Sequence, residues 1–148
     1  MNQQQVIQRA CELFQSEYNC AESVLMALAE SQGIESERIP RLATGFGGGI
    51  ARTGQMCGAL SGAIIGMGLV LGRDKPDVKP DGFYATIQKL LGDFEATHGT
   101  IQCRALIQLD LTTAEGRTSY RARDTTAQCL DYVEEAARRA LILLDAGE

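Results

Sequence analysis

The stretch Thr44–Gly72, TGFGGGIARTGQMCGALSGAIIGMGLVLG, constrains this chain more than any other part of it. Gly58, Gly62 and Gly66 recur every four positions, so on a helix they share one face, and a face without side chains lets another backbone approach closely. Each interior glycine costs a helix about 1 kcal/mol relative to alanine, so packing or function must compensate. The segment also carries one cysteine, Cys57, among small residues. The upstream glycines, Gly45, Gly47, Gly48 and Gly49, form neither a Walker loop nor a dinucleotide fingerprint, because no Gly-Lys-Ser/Thr and no preceding strand accompany them. They predict positive φ angles and a tight approach to whatever Cys57 touches.

Helical periodicity runs through the rest. Val6, Ile7, Ala10, Cys11, Leu13 and Phe14 predict an amphipathic helix over 3–15, with Cys11 packing as a small hydrophobe. Asn19 followed three residues later by Glu22 reads as a capping box and starts a second helix that runs to Gly33. Residues 36–43 predict a short helix that buries Leu42 and Ala43, and the central helix is expected to begin near Gly54 or Gln55. After the exposed loop RDKPDVKPDG, the stripe Phe83, Tyr84, Ile87, Leu90, Leu91 and Phe94 predicts a helix ended by His98-Gly99. Thr100 is a candidate cap that puts Cys103 at the third helical position, before an apolar face of Ala105, Leu106 and Leu109. Residues 112–124 read as a polar linker, and Cys129, Val133, Ala136, Ala140, Leu141 and Leu144 mark a last helix. Glu134, Glu135, Arg138 and Arg139 interleave as i,i+4 ion pairs on its solvated face. Strand signals are absent, so the expected fold is all-α: one domain over 1–148, a compact bundle of six to seven helices around a glycine-rich central one.

Charge and composition narrow the function classes. A formal charge of -5 with scattered Lys and Arg lacks the basic footprint of a nucleic-acid binder. The uncharged run Met56–Leu71 is sixteen residues, shorter than the roughly 20 a membrane span needs, so no stable span is expected. The first residues, MNQQQVIQRACELF, show no basic start with an apolar run behind it, so a cytoplasmic protein is expected. Five cysteines, Cys11, Cys20, Cys57, Cys103 and Cys129, then point to metal binding or redox chemistry in a reducing compartment.

Four of the five fall in or near the first turn of separate expected helices, where free N–H groups and the helix dipole favour thiolate over thiol. Cys20, Cys57, Cys103 and Cys129 are 37, 46 and 26 positions apart, with no C-x-x-C pair, so any site they share must be assembled by the fold.

The sequence resembles the redox-active protein family named for its C, GCAxxG, C, C cysteine pattern. The matching residues are Asn19-Cys20-Ala21-Glu22-Ser23-Val24-Leu25, Gly45-Phe46-Gly47-Gly48-Gly49, Cys57-Gly58-Ala59-Leu60-Ser61-Gly62-Ala63, His98-Gly99 with Cys103-Arg104, and Cys129. The resemblance implies an all-helical domain of about this length and a redox role for the four cysteines. Similar domains in split-Soret-type cytochromes imply electron transfer; no substrate follows from the resemblance. Cys11 is an addition to the pattern.

Four thiolates suit an iron-sulfur cluster, most simply one with two irons and two sulfides, for one-electron transfer; small neighbours such as Gly58 would leave room for it. The second reading is thiol/disulfide exchange, with Cys57 or Cys20 as the low-pKa nucleophile and His98 as a candidate helper, although a histidine ending a helix is more often a cap. Four thiolates also make a closed zinc site, and the plainest alternative is that the cysteines only pack. Arg104 is a candidate neighbour of the site and Asp110, six residues on, its candidate partner. Carboxylates show no paired arrangement for hydrolysis. No redox partner protein is named by the sequence, and the apolar stripes are compatible with a homodimer interface as well as an internal core.

Overall fold

Two capping boxes set the first two helices in this computed structural model, which describes residues 1–147. Asn2 accepts from the Gln5 N–H and opens α1, Gln3–Gln15; Asn19 accepts from the Glu22 N–H and opens α2, Cys20–Ser31. A 3-10 turn, Arg41–Phe46, follows, then α3, Gly58–Leu71, α4, Asp81–His98, α5, Cys103–Ile107, α6, Ala114–Ala122, and α7, Thr125–Ala146. Among the described residues there is no strand, only one isolated antiparallel bridge between Met56 and Gln102. The all-α expectation holds, with seven α-helices and one 3-10 turn among the described residues.

Four local expectations are corrected. The short helix expected over 36–43 is instead the 3-10 turn at Arg41–Phe46; Ala43 is buried, but Leu42 is 49% exposed, because three residues per turn rotates it away from α2. The central helix starts at Gly58, so Cys57 is its cap residue and not part of its first turn. Gln102 caps α5, which makes Cys103 the first helical residue; Thr100 accepts a hydrogen bond from the Gln102 N–H and sits outside the helix, and Ala105 is exposed. The polar linker expected over 112–124 contains α6, capped by Thr113 Oγ1 accepting from the Gly116 N–H at 2.9 Å. α6 is helical despite its polarity because one side, through Gly116 and Tyr120, lies against the body of the protein.

The core is mostly aliphatic and lies between α1, α2, α3, α4 and α7. Val6 and Ile7 of α1, Leu60 and Met67 of α3, Leu90 and Phe94 of α4, and Val133 and Ala140 of α7 are all buried. α4 turns only Leu90 and Phe94 fully inward; Tyr84 of its expected stripe is exposed. Gly99, at φ 86°, ends that helix in the left-handed conformation open to glycine, as its position after His98 predicted. Both expected i,i+4 pairs form on α7, Arg138 with Glu134 at 2.6 Å and Arg139 with Glu135 at 2.7 Å. Cys11 is half-buried and packs against the core. No helix of the described residues is long and apolar enough to cross a membrane.

Candidate functional site: four cysteines at one junction

The glycine face of α3 is the surface on which α2 lies. A Cβ on Gly62 would stand 2.9 Å from the Ala21 carbonyl carbon, and one on Gly66 would stand 2.7 Å from Leu28 Cδ1. At Gly58 the same space is taken by Cys20 Sγ and the Phe46 carbonyl oxygen. The backbones therefore meet where side chains would otherwise hold them apart, and the starts of the two helices bring Cys20 and Cys57 together.

The loop between the 3-10 turn and α3 reaches the other side of the site. Gly48, Gly49, Ile50, Ala51 and Arg52 all have positive φ, between 49° and 68°, so the chain makes a left-handed turn. Three of these are not glycine, and left-handed backbone costs such residues roughly 1–2 kcal/mol each. The turn is closed by Ala51 N–H to Gly45 O at 2.8 Å and Gln55 N–H to Gly49 O at 2.9 Å. The segment leaving it pairs with the residues that lead into α5 and with its first two: Cys57 N–H donates to Ile101 O at 2.8 Å, Cys103 N–H to Gln55 O at 2.7 Å and Arg104 N–H to Gly54 O at 3.1 Å. This short ladder carries Cys57 and Cys103 side by side. Gly49 is tight against it, since a Cβ there would stand 2.7 Å from Cys103 Cβ.

Cys129, in the second turn of α7, completes the set. Cys20, Cys57, Cys103 and Cys129 line one small chamber of about 20 Å³ together with Gly58, Leu106, Ile107 and Tyr132. Cys20, Cys103 and Cys129 also line a much larger cavity of about 570 Å³, while Cys57, 5% exposed, stays at the inner end. All five cysteines are free thiols. Among the described residues, no three histidine, cysteine or carboxylate side chains are grouped closely enough to hold a single metal ion as they stand.

Burial governs the thiols. It raises Cys57 well above the ordinary thiol range, pushes Cys103 up to about 12, and pushes Cys129 up to about 11 against the opposing hydrogen bond from Tyr120. Cys20 is raised for the same reason, although the N–H groups of Gly48, Ala21 and Ala59 point at its sulfur and favour the anion. Negative charge on Cys20 further raises each of the other three. At Cys20 and Cys57 desolvation therefore opposes the preference for thiolate expected at helix starts.

The family described as "Putative redox-active protein (C_GCAxxG_C_C)" matches residues 18–142, which include all four of these cysteines. The chain belongs to the C_GCAxxG_C_C family. It is also 44% identical over 62 residues to an "Uncharacterized protein" of Archaeoglobus fulgidus; the match spans 41% of this chain and 41% of that relative. No solved structure matches.

The cysteines that give the C_GCAxxG_C_C family its name thus meet at one chamber, and Gly58 of the motif is the residue that admits Cys20. The other sequence candidates stand further out. His98 is half-buried, stacked edge-on to Tyr132 with ring centroids 4.9 Å apart, and its Nε2 has no hydrogen-bond partner; it reaches the chamber only through that tyrosine. Arg104 points to the surface, where it pairs with Asp110 at 2.7 Å, as the six-residue spacing allowed. Two residues that periodicity did not single out also shape the site. Tyr132 forms part of the chamber wall, and Gln128 Nε2 donates to the Leu106 carbonyl and to Tyr132 Oη, both at 2.7 Å, tying α5 to α7.

Proposed function

We propose that Cys20, Cys57, Cys103 and Cys129 hold an iron-sulfur cluster with two irons and two sulfides, and that the protein passes single electrons. The observation that carries this reading is the meeting of four sequence-distant thiols around one chamber, in a family described as redox-active. When bound, such a cluster supplies a one-electron couple held by four thiolates, two to each iron.

Four thiolates are the donor set of a two-iron cluster and of a closed zinc site alike; zinc has no redox couple, so the redox-active description of the family favours iron. The small chamber alone is too narrow for the cluster, so a cluster held by all four thiols would extend from the chamber into the part of the larger cavity that Cys20, Cys103 and Cys129 also line. The raised thiols weigh against exchange chemistry, which needs a thiolate near neutral pH, and are compatible with metal, which displaces the proton outright. N–H groups from Gly48, Ala21 and Ala59 on Cys20, and from Ala59 and Leu60 on Cys57, stabilise added negative charge and so raise the potential.

Iron and acid-labile sulfide analysis of protein purified without oxygen tests the reading. About two of each per chain, with visible absorption bleached by dithionite, is the expected result. Colourless protein that also fails to take up iron and sulfide on reconstitution overturns it.

A further inference from the structure

The cavity of about 570 Å³ that Cys20, Cys103 and Cys129 help to line has a charge opposite to that of the chain. Three arginines line it, Arg52, Arg117 and Arg121, and no carboxylate does, although the protein carries a formal charge of -5. Among the described residues none of the three has an acidic partner. Arg117 is held in place by donating Nη1 to the Leu111 carbonyl at 3.0 Å, which leaves its other donors free. The remaining wall is largely apolar, with Phe14, Ile107, Leu111 and Tyr120. A volume of this size, apolar walls and a few convergent polar groups are the properties of a small-molecule site.

We infer that this cavity binds a small organic anion, a carboxylate, sulfonate or phosphate ester with an apolar body, whose charged end meets Arg52, Arg117 and Arg121 and whose body packs on Phe14, Leu111 and Tyr120 near Cys103 and Cys129. The site is made by the protein's own side chains and does not rest on the iron-sulfur reading.

Naphthalene-2-sulfonate and the uncharged 2-naphthylmethanol are matched probes, to be titrated by calorimetry into both metal-free and reconstituted protein. The sulfonate is expected to bind one to one and at least about tenfold more tightly than the alcohol, since charge-assisted hydrogen bonds supply the difference. Arg117→Gln and Arg121→Gln should each remove about tenfold of the sulfonate affinity and leave the alcohol unchanged. Arg38→Gln, outside the cavity, should change neither. In metal-free protein, bound sulfonate should slow alkylation of Cys103 and Cys129 but not of Cys11. Equal affinity for the two probes, indifference to the Arg117 and Arg121 substitutions, an equal loss in Arg38→Gln, or protection of Cys11 as strong as that of Cys103 each overturns the inference. Iron content reports separately on the cluster, so either reading can fail without the other.

Discussion

Gly58 and Cys20 contend for one space: a Cβ at position 58 would collide with Cys20 Sγ and stand 2.8 Å from the Phe46 carbonyl oxygen. The closeness of α2 and α3, and with it the closeness of Cys20 and Cys57, depends on a missing side chain.

Gly62→Ala is therefore expected to destabilise the protein by about 1–3 kcal/mol, the range for overpacking, since the added methyl meets Ala21 backbone that cannot swing aside. Gly58→Ala should lose iron binding in addition, by displacing Cys20. Gly92→Ala is the control: Gly92 lies inside α4 with open space where its Cβ would go, so alanine should stabilise by about 0.4–1 kcal/mol. Denaturant melts of the three variants check the order.

Stability of the reduced, metal-free protein should fall at alkaline pH. The folded state holds the thiol protons more tightly than the unfolded chain does, so this contribution is complete below the ordinary thiol value of 9.0 and is lost as pH rises toward about 11 for Cys129 and about 12 for Cys103. Urea midpoints measured from pH 8 to 12 should decline over that window. Cys103→Ser and Cys129→Ser should each flatten the decline; a wild-type midpoint that rises with pH would contradict the assignment of burial as the dominant cause.

Alkylation of the metal-free protein at neutral pH should be slowest at Cys57, which is both 5% exposed and raised by desolvation. Mass spectrometry of iodoacetamide-treated samples should find it modified last in the native state and at the same rate as Cys11 in urea. Fast modification of Cys57 in the native state would instead support the activated-nucleophile reading.

Gln128 ties the Cys103 helix to the Cys129 helix through the Leu106 carbonyl. Gln128→Ala should cost about 1 kcal/mol of stability and speed the loss of iron to a chelator, because it loosens two ligand-bearing elements from each other. Gln8→Ala, which removes an exposed bond to Glu12 on α1, should leave the chelation rate unchanged.

What could be read from the residues follows a simple physical division. The i,i+4 recurrence of Gly58, Gly62 and Gly66 fixes a helix face whatever the surroundings, and the Asn19/Glu22 capping box fixes where α2 begins; both were legible. The left-handed turn was not, because Ile50, Ala51 and Arg52 have no intrinsic preference for positive φ; the hydrogen bonds that close the turn and the long-range ladder from Gly54–Cys57 to Ile101–Arg104 hold them there. α6 was hidden by its polarity, since its single inward side spans too few residues to show a period. The same limit concealed Gln128 and Tyr132, whose roles depend on where α5 comes to rest. At the site, the four cysteines were legible as a set from their pattern, but their depth of burial, which opposes the thiolate that helix starts favour, was not.

The most direct test is iron content per chain across the five single Cys→Ala variants, prepared without oxygen and reconstituted identically. Four cysteines forming one centre, with Cys11 outside it, predicts that Cys11→Ala retains the wild-type iron load while Cys20→Ala, Cys57→Ala, Cys103→Ala and Cys129→Ala each lose most of it. Loss of iron from Cys11→Ala, or a full load in two or more of the other four, would contradict the account.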